Sequence, residues 1–503
     1  MSKFRACLIA TVISLSVVAA VCAQDPGSQM QSPPAQQPAQ PDKPIPPANP
    51  NDQNRPNPST DEPPLAPVVA GTVNSAPLTG ANEPPFNIFR SRSFVVPALG
   101  FFGQLDSNGN NTPFGNFTSI NSLFGAISIQ KMASASQFNL DYTLGRTFSN
   151  QSSAFNSTIN DFAASYLWSR GRWDGFVTDR LLYSSEASFL GGYAPFPSAS
   201  FGTASGFGMA PLLLRNSFMP DQGIFTNFGP RLNNIAVAQV NNHISRRMFF
   251  TIVGTDNILH FTNPGLIDSS TAGFQAGLGF QRTREDTIAV IYRFNDLWFS
   301  GYPVNVRDNI VELAYQRQLA ERWRFEIGAG PDLSYIHAPS QITGQPGTNR
   351  THDSWAANVA MHYRLRRTAL SVGYDHFLTA GGGVFLGATT DGFYGSASHQ
   401  LSRLWTLGFS GSYNHNKNLI PLSMGLRGVF APANGTYNSV YGTFEARRRI
   451  GRDSEFFLGY LARYQTSNYT LCQTGTSVCL GPSIVGHQFN FGFLWRVKPV
   501  PIG

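Results

Sequence analysis

Between Val485 and Val497 the side chains sort by parity. Odd positions carry Val485, His487, Phe489, Phe491, Phe493, Trp495 and Val497. Even positions carry Gly486, Gln488, Asn490, Gly492, Leu494 and Arg496. Successive residues of a β-strand face opposite ways, so this segment predicts a strand with one greasy face and one small or polar face. The pattern recurs upstream. Phe138, Leu140, Tyr142 and Leu144 alternate with Gln137, Asn139, Asp141 and Thr143, and Trp405, Leu407, Phe409, Gly411 and Tyr413 alternate with Thr406, Ser410, Ser412 and Asn414. From residue 92 onward, alternation and turn signals predict about eighteen strands. Most are longer than the ~5–6 residues usual for soluble strands. Segments 232–244 and 248–261 are ambiguous, because apolar residues fall on both parities.

The connections carry a second periodicity. Tight ones, such as Ser169-Arg170-Gly171, Ser245-Arg246-Arg247, Ser402-Arg403 and Arg449 to Asp453, alternate with longer Gly/Asn/Ser/Pro-rich stretches at 106–116, 186–231, 337–351, 380–389, 416–435 and 467–483. The tryptophans form a third. Trp168, Trp173, Trp323, Trp405 and Trp495 lie near tight turns or the C-terminal strand end, while Trp298 and Trp355 lie at the opposite strand ends. Amphipathic rings banded at two heights are what a bilayer's two interfaces collect.

Composition narrows the class. Charged residues are 13% of the 503-residue chain, against roughly 25% in ordinary soluble domains. The apolar share is 42% and no later run of apolar residues is long enough for a membrane-spanning helix. Gly (48) and Phe (40) are both abundant. The net charge of +7 includes Lys3 and Arg5, which fall in a segment expected to be removed as a leader. Basic residues form no continuous run, so nucleic acid is not an expected partner.

Residues 1–23 predict a signal peptide: Lys3 and Arg5, an apolar stretch from Leu8 to Val21, then Val21-Cys22-Ala23 before a cleavage site. Residues 24–91 predict a Pro-rich disordered tail, with 14 of the 34 prolines between 24 and 67. The barrel would occupy 92–503. Cys472 and Cys479 then remain as a close pair, expected to form a loop disulfide in an oxidising compartment.

These features together resemble the bacterial outer-membrane β-barrel class, porin-like in size. The resemblance implies an all-β fold, a large antiparallel transmembrane barrel of about 18 strands (16–20). It implies an outer-membrane location with both termini in the periplasm. The chain departs from the common pattern of ending on an aromatic residue, because Lys498-Pro499-Val500-Pro501-Ile502-Gly503 follows the last strand. Expected partners are outer-membrane lipid, the barrel assembly machinery and small hydrophilic solutes. A cell-wall or periplasmic partner could engage the tail. No cofactor is expected.

By parity, Asp141, Asp161, Arg293, Glu312, Arg324, Glu326, Asp332, Arg364, Glu445, Arg447, Glu455 and Arg463 should face the lumen. Neither sign dominates. Gly277/Gly279 and Gly328/Gly330 lie inside strands with no helix following, which argues against a phosphate loop. Histidines occur singly, without metal-ligand spacing. The apolar-rich stretch 186–231 is expected to fold inward and narrow the pore, with an extra hairpin (raising the strand count to 20) or an oligomer contact as the alternatives, because unstructured loops of that length are uncommon unless functional. The function that fits is a passive channel for small hydrophilic solutes or for export of an envelope product. A surface scaffold or adhesion barrel is the alternative. A barrel-wall hydrolase using His362 and Asp375 is a further one, although no enzyme is expected.

Overall fold

The structure is a computed structural model. It describes residues 93–502 outside segments 109–116, 151–157, 186–229, 263–265, 320–321, 339–347, 421–434, 469–470, 473–478 and 481–482, and outside positions 134, 284, 366, 382, 384 and 452. The signal peptide, the tail and the expected constriction stretch 186–231 therefore lie almost wholly outside the described residues.

The strands are β1 (Phe94–Asp106), β2 (Thr118–Met132), β3 (Ser136–Ser149), β4 (Thr158–Arg170), β5 (Trp173–Ser185), β6 (Pro230–His243), β7 (Met248–Phe261), β8 (Ser269–Gln281) and β9 (Asp286–Phe299). They continue as β10 (Asn305–Leu319), β11 (Trp323–Ala338), β12 (Thr348–Arg364), β13 (Thr368–Thr379), β14 (Ala388–Gln400), β15 (Trp405–Asn418), β16 (Thr436–Ile450) and β17 (Ser454–Ser467). Two-residue strands β18 (Leu471–Cys472) and β19 (Cys479–Leu480) make a small ribbon; β20 (Ser483–Arg496) and β21 (Val500–Pro501) follow. Each long strand pairs antiparallel with the next, and β20 returns to β1, closing a barrel of 18 strands. The ambiguous segments are β6 and β7. They are ordinary members of the ring, in which Ile235 and Val237 of β6 face inward while Ala236 and Ala238 face out.

Concave and convex faces differ as parity requires. Convex positions are exposed and apolar: Leu123 63%, Leu313 61%, Phe489 56%. A wall this apolar cannot be left in water without a large hydrophobic penalty. All seven tryptophans stand on the convex parity, with Trp173, Trp323, Trp405 and Trp495 at the tight-turn ends of their strands, Trp298 at the long-loop end of β9, and Trp355 near the middle of β12, which begins earlier than the alternation predicts.

The concave face is less uniformly polar than the alternation predicts. Ala98, Phe102, Phe124, Phe457 and Leu494 form one inward apolar cluster, and Phe176, Ile235, Val237, Val253, Ala289, Ile291 and Ala314 form another. The abundance of Gly and Phe has a shared cause here. Phe124 lies directly opposite Gly100, Phe249 opposite Gly279 and Phe457 opposite Gly492, with each ring in the space a glycine Cβ would fill. The convex pairs Phe491/Gly103 and Trp168/Gly175 repeat the device. A ring laid over a bare backbone shields it and pins register.

The C-terminal segment that breaks the expected ending is part of the ring. After Arg496 the chain runs past Pro499 and pairs again with β1, Val500 against Val95 and Pro501 against Phe94. Proline is tolerated there because the pairing is interrupted at that point.

Candidate pore

The charged residues expected in the lumen all occupy concave positions, and the register gathers them into clusters. On β4 and β5, Asp161 takes a bidentate pair from Arg180 at 2.9 and 2.8 Å. Asp141 stands on the neighbouring β3, opposite Ser128. On β9, β10 and β12, Arg293 lies 3.3 Å from Glu312, whose other oxygen accepts from Asn358 Nδ2 at 2.6 Å. Gly328 of the Gly-x-Gly in β11 makes this possible, because a Cβ there would fall 1.8 Å from Glu312 Oε1. Beside it, Ser334 donates to Asp308 and Asp332, and Asn295 Nδ2 donates to Asp308 at 3.2 Å. Glu326 is buried on β11, with Arg324 nearer the tight turn and Arg364 at the end of β12.

Near the tight turns of β16, β17 and β20, Arg447 pairs with both Glu445 and Glu455, and Arg496 pairs with Glu455 at 3.2 Å. Toward the other end, Arg463 is 3.0 Å from Asp106, and both are almost completely buried. Buried ion pairs of this kind persist because breaking one strands a charge. They leave a wall of mixed sign.

The long-loop mouth is built differently. Ile267, Leu297, Phe299, Val306, Leu386 and Leu419 belong to one apolar cluster drawn from the ends of several strands. Its centrepiece is the β13–β14 connection. Ile267 N–H donates to the Gly383 carbonyl at 2.8 Å, and a Cβ on Gly383 would meet the Phe261 ring at 2.4 Å. Two residues later Phe385 packs edge-on against Tyr437 of β16, with ring centroids 6.3 Å apart. Phe261 and Tyr437 belong to strands on nearly opposite sides of the ring. The loop therefore folds inward across the mouth. Gly381, Gly383 and Gly387 adopt φ of 81°, 85° and 85°, a region glycine enters at no steric cost.

His362 and Asp375 share the concave face but do not come together. Asp375 lies opposite Asn358, four positions from His362 along β12, a separation of roughly 13 Å at ~3.3 Å per residue. Among the described residues no group of three His, Cys, Asp or Glu side chains could hold a metal ion. The backbones of Cys472 and Cys479 face each other in the β18–β19 ribbon, while their side chains lie outside the described residues.

Asp106, Arg180, Asp308 and Arg496 are partners that parity alone does not single out, although each has the concave parity of its strand. Loop 380–389 shows no sign of an inward path in the sequence, since a run of glycines carries no alternation.

No known family pattern matches this sequence, and no curated protein matches it. Among solved structures, the chain is similar to Pseudomonas aeruginosa OpdQ at 10% identity and a TM-score of 0.38, covering 81% of this chain and 99% of that one. It is similar to Pseudomonas aeruginosa OccK2 (OpdF) at 8% identity and a TM-score of 0.40, covering 80% and 98%. Acinetobacter baumannii OccAB2 gives 8% identity and a TM-score of 0.40, covering 81% and 98%.

Proposed function

We propose that the chain is an outer-membrane channel for passive passage of small hydrophilic solutes, narrowed at its long-loop mouth by the β13–β14 connection. One observation carries the reading: a closed ring of 18 antiparallel strands bears apolar side chains outside and ion-paired, hydrogen-bonded side chains inside. Barrels of 16–18 strands leave an aqueous channel where smaller ones fill with side chains. The concave candidates Asp141, Asp161, Arg293, Glu312, Arg324, Glu326, Arg364, Glu445, Arg447, Glu455 and Arg463 would then line the path and set its ion preference.

The convex tryptophans would sit at the two headgroup levels. The start of β1 and the end of β20 lie at the tight-turn end, which would place both termini in the periplasm, where short turns gather. The pair Cys472–Cys479 would close its ribbon as a disulfide. Residues 1–23 would direct export, and 24–91 would trail in the periplasm.

Planar-bilayer recording tests the reading. Purified full-length barrel, shown folded by heat-modifiable gel migration, should give discrete ohmic conductance steps. Folded, membrane-inserted barrel that passes no current would reject the channel and favour the scaffold reading.

A further inference from the structure

The convex wall of β12–β16 carries a groove of about 610 Å³, lined by Val372, Phe393, Gly411, Tyr413 and Val440 among others. Gly411 in its lining belongs to a cross-strand row of glycines. Gly395 pairs with Gly411 and Gly411 with Gly442, on three consecutive strands with the same outward parity. Nothing lies within 4 Å of where a Gly442 Cβ would be. Aromatic rows rise on both sides: Phe393 and Tyr413 on the long-loop side, Phe409 and Phe444 on the other, the last two with ring centroids 4.9 Å apart.

Directly beyond the groove on the same strands the convex surface turns polar. His376, Asp391, His415 and Asn438 stand opposite one another in a single row. Asp391 already has partners: the Tyr374 hydroxyl donates to it at 2.6 Å and His376 Nδ1 lies 2.7 Å away. His415 engages Asn438 through Nδ1 at 2.6 Å, and its Nε2 makes no hydrogen bond among the described residues. Lys417, the next outward residue of β15, is exposed and forms no ion pair among the described residues.

Height matters as much as chemistry. At ~3.3 Å per residue and a tilt near 40°, His415 and Lys417 stand roughly 25 and 30 Å from the tight-turn end of β15, at the far edge of an apolar band ~25 Å tall. The groove lies below them, inside that band. Apolar trough and a polar rim carrying Lys417 are thus stacked along one bilayer normal.

We propose that this groove retains one bilayer lipid whose headgroup carries a phosphate monoester. The proposal rests on the membrane-spanning reading above. The acyl chain lies over Gly411 and Gly442 between the aromatic rows, and the phosphate meets Lys417 Nζ and His415 Nε2. With Nδ1–H donating to Asn438 Oδ1, His415 Nε2 is an acceptor. A monoester, which loses its second proton only near pH 6, can donate that P–O–H to it while its anionic oxygens meet Lys417, whereas a diester has no proton to give. The carboxylate of Asp391 is turned to Tyr374 and His376, which reduces its repulsion of the phosphate.

The experiment reconstitutes the full-length barrel in phosphatidylcholine vesicles containing a minor fraction of phosphatidate or of phosphatidylglycerol. Native mass spectrometry after mild detergent extraction then counts retained lipids. Wild type should keep one phosphatidate per barrel, and added inorganic phosphate should not displace it. Lys417→Glu and Gly442→Leu should each lower that occupancy about tenfold, the loss expected for a charged hydrogen bond or an occluded trough. Gly442→Leu fills open space on a lipid-facing strand, so folding should survive.

Equal retention of all three lipids, displacement by inorganic phosphate, or retention unaffected by Gly442→Leu would overturn the proposal. A dimer that disappears in Gly442→Leu would also overturn it by giving the groove to a second copy. Conductance and heat-modifiable migration of each variant separate these outcomes from failure of the channel reading, since a barrel that inserts normally but retains no phosphatidate refutes only the lipid site.

Discussion

At the tight-turn end, Arg447 and Arg496 share Glu455 on the concave wall; at the long-loop end, Ile267, Phe299, Leu386 and Leu419 meet in an apolar cluster beneath a loop folded across the mouth. Both regions draw on the same alternating strands. They differ in what the connections allow. Tight turns keep the wall regular, so inward residues stay on their strands and must neutralise each other locally. The longer glycine-rich connection at 380–387 can leave the wall, and its apolar residues gather where a regular wall would have stayed open. On the channel reading proposed above, passage size would be set at one end and charge preference at the other.

The strongest way to break this contrast is to replace residues 381–386 with a two-residue turn. Single-channel conductance should rise severalfold with little change in ion preference, because the constriction is steric and apolar. Unchanged conductance would take the mouth away from this loop. Phe385→Ala should give a smaller rise in the same recording. It also leaves a cavity beside Tyr437 that costs up to ~3–5 kcal/mol if it does not collapse, visible as a lower melting temperature in detergent.

Glu455→Gln probes the other end. It leaves Arg447 and Arg496 short of a counter-charge, so the reversal potential in a KCl gradient should move toward anions while conductance changes little. A change of conductance without a change of reversal potential would collapse the distinction between the two ends. The smallest effect is expected from a double-mutant cycle on Asp106 and Arg463, which sit at the long-loop end yet belong chemically with the ion-paired wall. Their coupling should fall within ~0.5–3 kcal/mol by urea unfolding; a value of zero would show that burial alone, and not pairing, holds them.

Much of the architecture is legible in the chain because a barrel strand repeats one rule every two residues. The Phe489 to Trp495 run follows from that rule directly, and the alternation of tight and long connections, with Trp173 and Trp298 at opposite strand ends, marks where it starts and stops. It weakens where both faces accept apolar residues. Ile235 and Val237 point into an apolar cluster while Ala236 and Ala238 point out, so β6 loses its sequence contrast although its pairing is ordinary.

What the rule cannot give is register. Parity puts Glu455, Arg447 and Arg496 on the concave face, but only the offsets between β16, β17 and β20 decide that they meet. Likewise the position of Gly492 opposite Phe457 is a cross-strand fact. The inward path of Gly381 to Gly387 depends on φ values that a glycine permits without announcing.

The seam between β1 and β20, prolonged by Val500 and Pro501, has a consequence for the order of assembly. Every other junction of the ring joins long strands consecutive in sequence, whereas this one joins the first to the last. Phe94 and Val95 take their second partner from Val500 and Pro501. Such distant pairing makes the seam the slowest joint to form, and a chain cut after Val497 would leave the start of β1 unpaired on that side while Ala98–Asp106 still closed on β20.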